Sequence, residues 1–118
     1  MKSIRRGEVH WVSLDPTRGS EMAKRRTCVV LSAREINDHR RTVVVVPLTT
    51  TDTQPVFPLL VATPSVSASS KVRTEHIRAI DKSRLSGYVT DMADDDLVEI
   101  ERALCKVLGL RTSSLVRA

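Results

Sequence analysis

Apolar and polar residues alternate along much of this chain, and a period of two is typical of β-strands. Two segments, 27–32 and 42–47, are instead continuous runs of β-branched and apolar residues, and the second contains four consecutive valines. Continuous runs of this kind predict strands that are covered on both faces. In all, the pattern predicts five to seven short strands, placed at 8–14, 27–32, 42–47, 56–62, 71–81 and 88–91.

A helical period replaces this alternation near the C-terminal end, and one further helical turn is expected within 33–41. The apolar stripe of the predicted helix consists of Leu97, Ile100, Leu104, Val107 and Leu108. The three aspartates at 94–96 fall in its first turn, where negative charge complements the helix dipole, and Gly109 reads as its end. The predicted fold class is therefore mainly β with a C-terminal helix, in a single domain that spans residues 1–118.

The segment 14–26, between the first two predicted strands, is a loop by composition. Its Asp15-Pro16 pair favours a turn, because proline fixes φ and biases the preceding residue away from helix. The loop then supplies one acid and three consecutive cations: Glu21, Lys24, Arg25 and Arg26. A carboxylate beside clustered guanidinium groups suits a phosphate-bearing substrate. The alternative is a solvated hairpin loop whose charges serve solubility.

Three chemically distinctive side chains are predicted to be buried. Trp11, the only tryptophan, is expected in the core or closing the barrel rather than stacking on bases. Cys28 and Cys105 lie within apolar runs and are interpreted as small hydrophobes, not as a disulfide. The three histidines are scattered and neither cysteine has a second ligand nearby in sequence, so the pattern predicts no metal site.

The distribution of charge is more informative than its sum. The formal net charge is +5, but residues 91–106 carry six acids and two bases, which leaves a net charge of +9 on the rest. A cationic body suggests a polyanionic partner, either nucleic acid or an acidic protein, although it also serves solubility. The N-terminal residues do not read as a secretory signal and no apolar run reaches membrane-spanning length, so a cytoplasmic location is expected.

The candidate chemistry is limited to side chains that act without a cofactor. The chain has no glycine-rich phosphate loop and no nucleophile-elbow motif, but it has the basic loop, hydroxyls at 49–51, and the run Arg73-Thr74-Glu75-His76. RNA carries its own nucleophile, the 2′-hydroxyl, so its cleavage needs only a base, an acid and cations for the phosphorane. RNA cleavage without metal or cofactor is therefore one hypothesis, and RNA binding without catalysis is another.

Four motifs, in order and covering nearly the whole chain, resemble the MazF/PemK family of toxin endoribonucleases. The first is Arg6–Val12 with Leu14–Glu21, Arg26 and Val29–Ser32, and the second is Pro47-Leu48-Thr49-Thr50. The third is Glu75–Leu85, and the fourth is Ala103-Leu104 followed by Leu108-Gly109-Leu110. The resemblance implies an SH3-like β-barrel with a C-terminal helix, the toxin fold shared by MazF, PemK and CcdB.

The resemblance also implies an activity and partners. The family's members are homodimeric mRNA interferases, which cleave single-stranded RNA sequence-selectively without metal and leave 2′,3′-cyclic phosphate and 5′-hydroxyl ends. A co-expressed antitoxin with an acidic, MazE-like tail would block the RNA groove. By position, the catalytic residues implied are Arg26, Thr49 and Glu21, with Glu75 and Arg73 as an alternative acid–base pair. The RNA-binding residues expected around them are Arg18, Ser20, Lys24, Arg25, Thr50 and His76.

Two positions depart from the family pattern. Thr27 follows Arg26 where proline is usual, and His76 replaces a common glutamine, which puts base recognition there in doubt. The nearest rival is a toxin of the same barrel type that poisons DNA gyrase, but that branch relies on a C-terminal Trp-Gly-Ile-like end, whereas this chain ends Ser114-Leu115-Val116-Arg117-Ala118. The second rival is an RNA-binding module without catalysis.

Overall fold

The computed structural model describes residues 3–13 and 25–111. Residues 14–24, which make up most of the predicted basic loop, therefore lie outside the described residues. The strands are β1 (Glu8–Ser13), β2 (Arg25–Val30), β3 (Thr42–Thr50), β4 (Leu60–Ala62), β5 (Ser70–Arg73), β6 (Arg78–Asp81) and β7 (Leu85–Asp91). The α-helices are α1 (Arg34–His39) and α2 (Asp94–Leu108), and short 3₁₀ helices span Thr74–His76 and Lys82–Arg84.

All described strand pairs are antiparallel, in the order β4-β5-β3-β2-β1-β7, with β6 also paired to β3. The central strand is β3, which has nine residues. It pairs with β2 along one edge, and with β6 and then β5 along the other edge. Mainly β structure with a C-terminal helix confirms the predicted fold class. Among the described strands β4 and β7 remain the two ends, so the sheet is barrel-like without closing on itself.

Both faces of the central strands are buried, as the continuous valine runs predicted. Val29 and Val46 are partners in the β2–β3 ladder and belong to one apolar cluster, which α2 covers with Leu97, Ile100 and Ala103. Their sequence neighbours Cys28, Val30 and Val45 belong to a second cluster, which Val12 and Ile80 complete. Successive side chains of a strand point to opposite faces, so the two clusters lie on the two sides of the sheet.

The segment 71–81 was predicted as one alternating strand, and that prediction was wrong. Val72 pairs with Leu48 and Arg78 pairs with Val45, so five residues of this segment span the same stretch as two residues of β3. The 3₁₀ helix Thr74–His76 takes up the three extra residues. The strands on either side of this 3₁₀ helix, β5 and β6, both pair with the same edge of β3. The alternation of the two strands therefore appeared as one continuous pattern in the sequence.

Two other strand boundaries also differ from the prediction. The strand expected over 56–62 is reduced to β4, and Val56 makes only an isolated bridge to Leu60 because a tight turn joins them. The last strand begins at Leu85 instead of Tyr88. Two β-bulges in the β1–β7 pairing interrupt its alternation and so hid its first residues from the pattern.

The structure confirms both predicted helical segments. Residues 33–41 contain α1, and α2 runs from the three aspartates to Gly109, which adopts the left-handed conformation at φ 67°. Cys28 is fully buried as predicted, whereas Cys105 on α2 is only half-buried. Within the described residues, no helix is long and apolar enough to cross a membrane.

Candidate active site

A cavity of about 350 Å³ opens where β2 begins and β3 ends. Because β2 and β3 are antiparallel, with Cys28 opposite Pro47, the start of one strand lies beside the end of the other. This places Arg26 and Thr49 on the same cavity. The residues that line it are Trp11, Arg26, Thr27, Leu48, Thr49, Thr50, Val66, Ser67 and Ser70.

The two side chains implied to be catalytic differ in their surroundings. Arg26 is exposed, and the structure gives it no ion pair within residues 3–13 and 25–111. Thr49 is half-buried and pairs with Lys71 in the β3–β5 ladder.

Side chains alternate along β2 and β3, so Arg26 shares a face with Cys28 and Thr49 shares a face with Val45. This is the face of the second apolar cluster, whereas Trp11 and Leu48 lie on the other face. Arg26 and Thr49 therefore offer, side by side on one face, a permanently charged, forked donor and a compact hydroxyl, which together suit the oxygens of a phosphate group.

Lys71 is a cation near the cavity that the sequence pattern did not single out. It is only 7% exposed, and its Nζ donates a hydrogen bond to the carbonyl oxygen of Thr51 at 2.8 Å. This bond fixes the chain just past Thr49 and Thr50. A lysine in an alternating polar strand gives no signal of burial, so this role was visible only after the strands were paired.

The loop 63–69 forms one wall of the cavity, with Val66 and Ser67 in the lining. Its two ends are joined by the Thr63 hydroxyl, which donates to the Ser70 hydroxyl at 2.9 Å. Its centre is attached to α2, because the Asp96 carboxylate accepts hydrogen bonds from both the amide and the hydroxyl of Ser65. The wall is thus held by the C-terminal helix and not by the strands alone.

Trp11 also lines this cavity, and the prediction that it would be buried was wrong. Its side chain lies on the face of β1 that carries Val9, beyond the part that α2 covers, and 41% of its surface remains exposed. The guanidinium carbon of Arg25 lies 5.1 Å from the centre of its ring. Alternation predicted the face correctly, but it could not show where along the strand the core ends.

Three further candidates that the structure describes do not line this cavity. Arg73, Glu75 and His76 are all exposed and lie outside the lining, and His76 belongs to a 3₁₀ helix instead of the strand expected for it. Four other candidates lie outside the described residues: Arg18, Ser20, Glu21 and Lys24.

The cysteine nearest to the cavity is not available as a nucleophile. Cys28 is two residues from Arg26, and burial raises the pKa of its thiol to about 12 although Arg78 and Arg26 act in the opposite direction. At neutral pH the thiol stays protonated. Among the described residues, no group of three or more His, Cys, Asp and Glu side chains is placed to hold a metal ion.

A second, open cavity of about 1070 Å³ lies on the opposite face of β1. Its wall contains a charged group in which His10 Nε2 lies 2.9 Å from Glu8 Oε1, and Arg5 Nε lies 3.4 Å from the other carboxylate oxygen. Tyr88 completes the group, with its ring edge-on to that of His10. None of the candidate catalytic residues that the structure describes lines this cavity.

Residues 5–108 match the family model of the PemK-like, MazF-like toxins of type II toxin–antitoxin systems. This chain belongs to that family. Among similar solved structures is a mycobacterial endoribonuclease in complex with its cognate antitoxin, at 28% identity and a TM-score of 0.76, with 92% of this chain and 97% of that chain covered. Another is a MazE–MazF complex from Deinococcus radiodurans, at 26% identity and a TM-score of 0.77, with 93% and 99% covered. The PemK/MazF-like assignment agrees with the fold and with the family expected from the sequence motifs.

Proposed function

We propose that this PemK/MazF-like protein is the endoribonuclease toxin of a toxin–antitoxin pair and cleaves single-stranded RNA, chiefly messenger RNA, at the site that Arg26 and Thr49 form where β2 begins and β3 ends. The observation that carries the proposal is that Arg26 and Thr49, from separate motifs, lie beside each other on one face of the sheet in a chain of this family. Similar solved structures include endoribonucleases from mycobacterial species. The protein would act in the cytoplasm, where messenger RNA is translated.

In this mechanism the 2′-hydroxyl of the RNA attacks its own 3′-phosphate and the 5′-oxygen of the next nucleotide leaves. The Arg26 fork stabilises the phosphorane or the leaving oxygen, and the Thr49 hydroxyl holds a non-bridging oxygen. We assign the base to Glu21, since it precedes Arg26 by five residues in the same sequence motif. The products would be a 2′,3′-cyclic phosphate and a 5′-hydroxyl, with no metal required.

The test is to incubate the purified protein with long RNA in excess EDTA and to map the cuts by primer extension. We expect discrete cuts, which carry a 5′-hydroxyl and therefore accept phosphate from polynucleotide kinase without prior phosphatase treatment. RNA that is bound but left intact would favour the RNA-binding module. RNA that is neither bound nor cut, with inhibition of DNA gyrase, would favour the gyrase-poisoning rival.

We propose two protein partners. The first is an antitoxin whose acidic segment occupies the Arg26–Thr49 site in place of phosphates, since β2 begins with the exposed cations Arg25 and Arg26 and two similar solved structures contain antitoxins. Co-expression should suppress cleavage, and neutralising the acidic side chains of that segment should restore it. Unchanged suppression by the neutralised antitoxin would refute cavity blocking.

The second partner is another copy of the chain. Several large apolar side chains remain exposed outside the two apolar clusters, and a small domain of this size has a limited core of its own. Light scattering at micromolar concentration should give twice the monomer mass of 13.1 kDa. A clean monomer mass would contradict this.

A further inference from the structure

Lys71 lies on the same face of the sheet as Arg26 and Thr49. It is the partner of Thr49 in the β3–β5 ladder, and residues directly opposite each other in an antiparallel pair point to the same face. The neighbouring pair, Leu48 and Val72, belongs to the apolar cluster that α2 covers, so Thr49 and Lys71 point to the other face. The β2–β3 register, continued to the ends of the strands, sets Arg26 opposite Thr49.

The three side chains therefore form one row across β2, β3 and β5, with the hydroxyl between two cations. Neighbouring strands lie about 4.8 Å apart, so the α-carbons of Arg26 and Lys71 are about 10 Å apart, with that of Thr49 between them. Both cationic side chains are long enough to converge on one anion above the Thr49 hydroxyl. The row continues on β4 with Ala62, which is small and exposed, so no bulky side chain closes that flank of Lys71.

Lys71 is buried, whereas a lysine that serves only solubility is exposed. Within residues 3–13 and 25–111 it is 7% exposed and forms no ion pair with a carboxylate. Its hydrogen bond to the Thr51 carbonyl, at 2.8 Å, uses one of the three donors of the ammonium group. Withdrawing a cation from water is unfavourable unless an opposite charge compensates it. An anion bound at this row would supply that charge.

We propose that Lys71 is the second cation of the Arg26–Thr49 site and binds the phosphate at which the RNA is cleaved. The ammonium group keeps its bond to Thr51 and donates to a non-bridging oxygen, from the side of Thr49 opposite Arg26. The phosphorane gathers more negative charge on these oxygens than the phosphate carries, so a cation fixed beside them stabilises the transition state more than the substrate. This inference rests on the proposed function, because it takes the row to be where the RNA phosphate lies.

Three substitutions at this position separate a role of the charge from structural support. Lys71→Met removes both the charge and the hydrogen bond, Lys71→Gln removes the charge but keeps a donor for the Thr51 carbonyl, and Lys71→Arg keeps both. The matched control is Lys106→Met, which removes an exposed lysine from the last turn of α2, the helix that packs on the other face of the sheet. Circular dichroism and the urea midpoint establish that each variant is folded.

The first measurement is RNA binding as a function of salt concentration. The probe is a short random-sequence RNA with 2′-fluorine in place of the 2′-hydroxyl, so that it cannot be cleaved. Losing one phosphate contact reduces the slope of log K against log salt by roughly 0.7 for a single strand. We expect this reduction in Lys71→Met and Lys71→Gln, whereas Lys71→Arg and Lys106→Met should keep the wild-type slope. Wild-type slopes in both neutral variants of Lys71 would overturn the phosphate contact.

The second measurement is the single-turnover rate of RNA cleavage in EDTA. Lys71→Met and Lys71→Gln should cleave roughly a hundred- to thousandfold more slowly, the range for loss of one transition-state donor, and Lys71→Arg should recover part of the rate. Recovery by Lys71→Gln would show that Lys71 only supports the Thr51 backbone, and would refute the phosphate contact. Wild-type rates and slopes in Lys71→Met would overturn this inference while leaving the nuclease intact. The expected slopes without any cleavage by the wild type would support the contact and refute the catalytic proposal instead.

Discussion

Replacing Asp96 by alanine should loosen the wall of the cavity from the helix that supports it. Asp96 is 7% exposed and accepts hydrogen bonds from the Ser65 amide, at 2.9 Å, and from the Ser65 hydroxyl. The same hydroxyl accepts a hydrogen bond from the amide of Ala93, at 3.0 Å, at the start of α2. Ser65 therefore bridges Asp96, the third residue of α2, and Ala93, its N-cap. In a capping box the side chain of the third helical residue bonds directly to the amide of the N-cap residue.

The magnitude follows from these bonds. A hydrogen bond to a charged group contributes about 1.5–3 kcal/mol to stability. Because Ser65 is exposed, water would satisfy part of the hydrogen bonding that its amide and hydroxyl lose when the Asp96 carboxylate is removed. We expect Asp96→Ala to lower the free energy of unfolding by about 2 kcal/mol.

Urea unfolding at one fixed protein concentration measures this loss, since dimer formation would make stability depend on concentration. Asp95→Ala is the matched control: it removes an exposed first-turn charge with the same effect on the helix dipole but without a contact to the loop. Ser65→Ala and the double variant complete a cycle. Equal stabilities of the Asp96 and Asp95 variants, or additive effects of Asp96 and Ser65, would refute the reasoning.

Two further predictions concern other parts of the fold. Gly109→Ala should cost about 1 kcal/mol of stability in urea unfolding, because alanine disfavours the left-handed φ of 67° at which α2 ends; unchanged stability would show that the helix end rearranges freely. Burial raises the pKa of Cys28 to about 12, so its stabilising effect is complete below pH 9 and is lost as the pH rises towards 12. Between pH 8 and pH 10 the wild type should therefore lose about 1.4 kcal/mol more than Cys28→Ala, and parallel pH profiles would contradict this.

Patterns that depend on local periodicity predicted the corresponding elements well. The valine runs predicted strands buried on both faces, and the stripe from Leu97 to Leu108 predicted α2 with its end at Gly109. These patterns succeed because burial of a helix stripe or a strand face constrains every third, fourth or second residue. Motif order, and not periodicity, indicated that Arg26 and Thr49 belong together.

The features that were missed depend on how strands pair. The surplus residues of 71–81 and the bulges opposite β1 appear only once the ladder registers are known. The exposure of Trp11 and the burial of Lys71 depend in the same way on which elements pack against each face of the sheet and on how far along the strand that packing extends. Alternation assigns a side chain to a face, but it does not give the extent of the layer that packs on that face.

The central claim is that RNA is cleaved at the site that Arg26 and Thr49 form where β2 begins and β3 ends. The most direct test is the single-turnover rate of cleavage in EDTA for Arg26→Ala and Thr49→Val, with Thr42→Val as a control at the exposed, opposite end of the same strand. Removing one transition-state interaction should slow cleavage roughly a hundred- to thousandfold, and Arg26→Lys should recover little because an ammonium group lacks the fork. Thr42→Val should cleave at the wild-type rate. Folded Arg26→Ala or Thr49→Val protein that cleaves at nearly the wild-type rate would contradict the account.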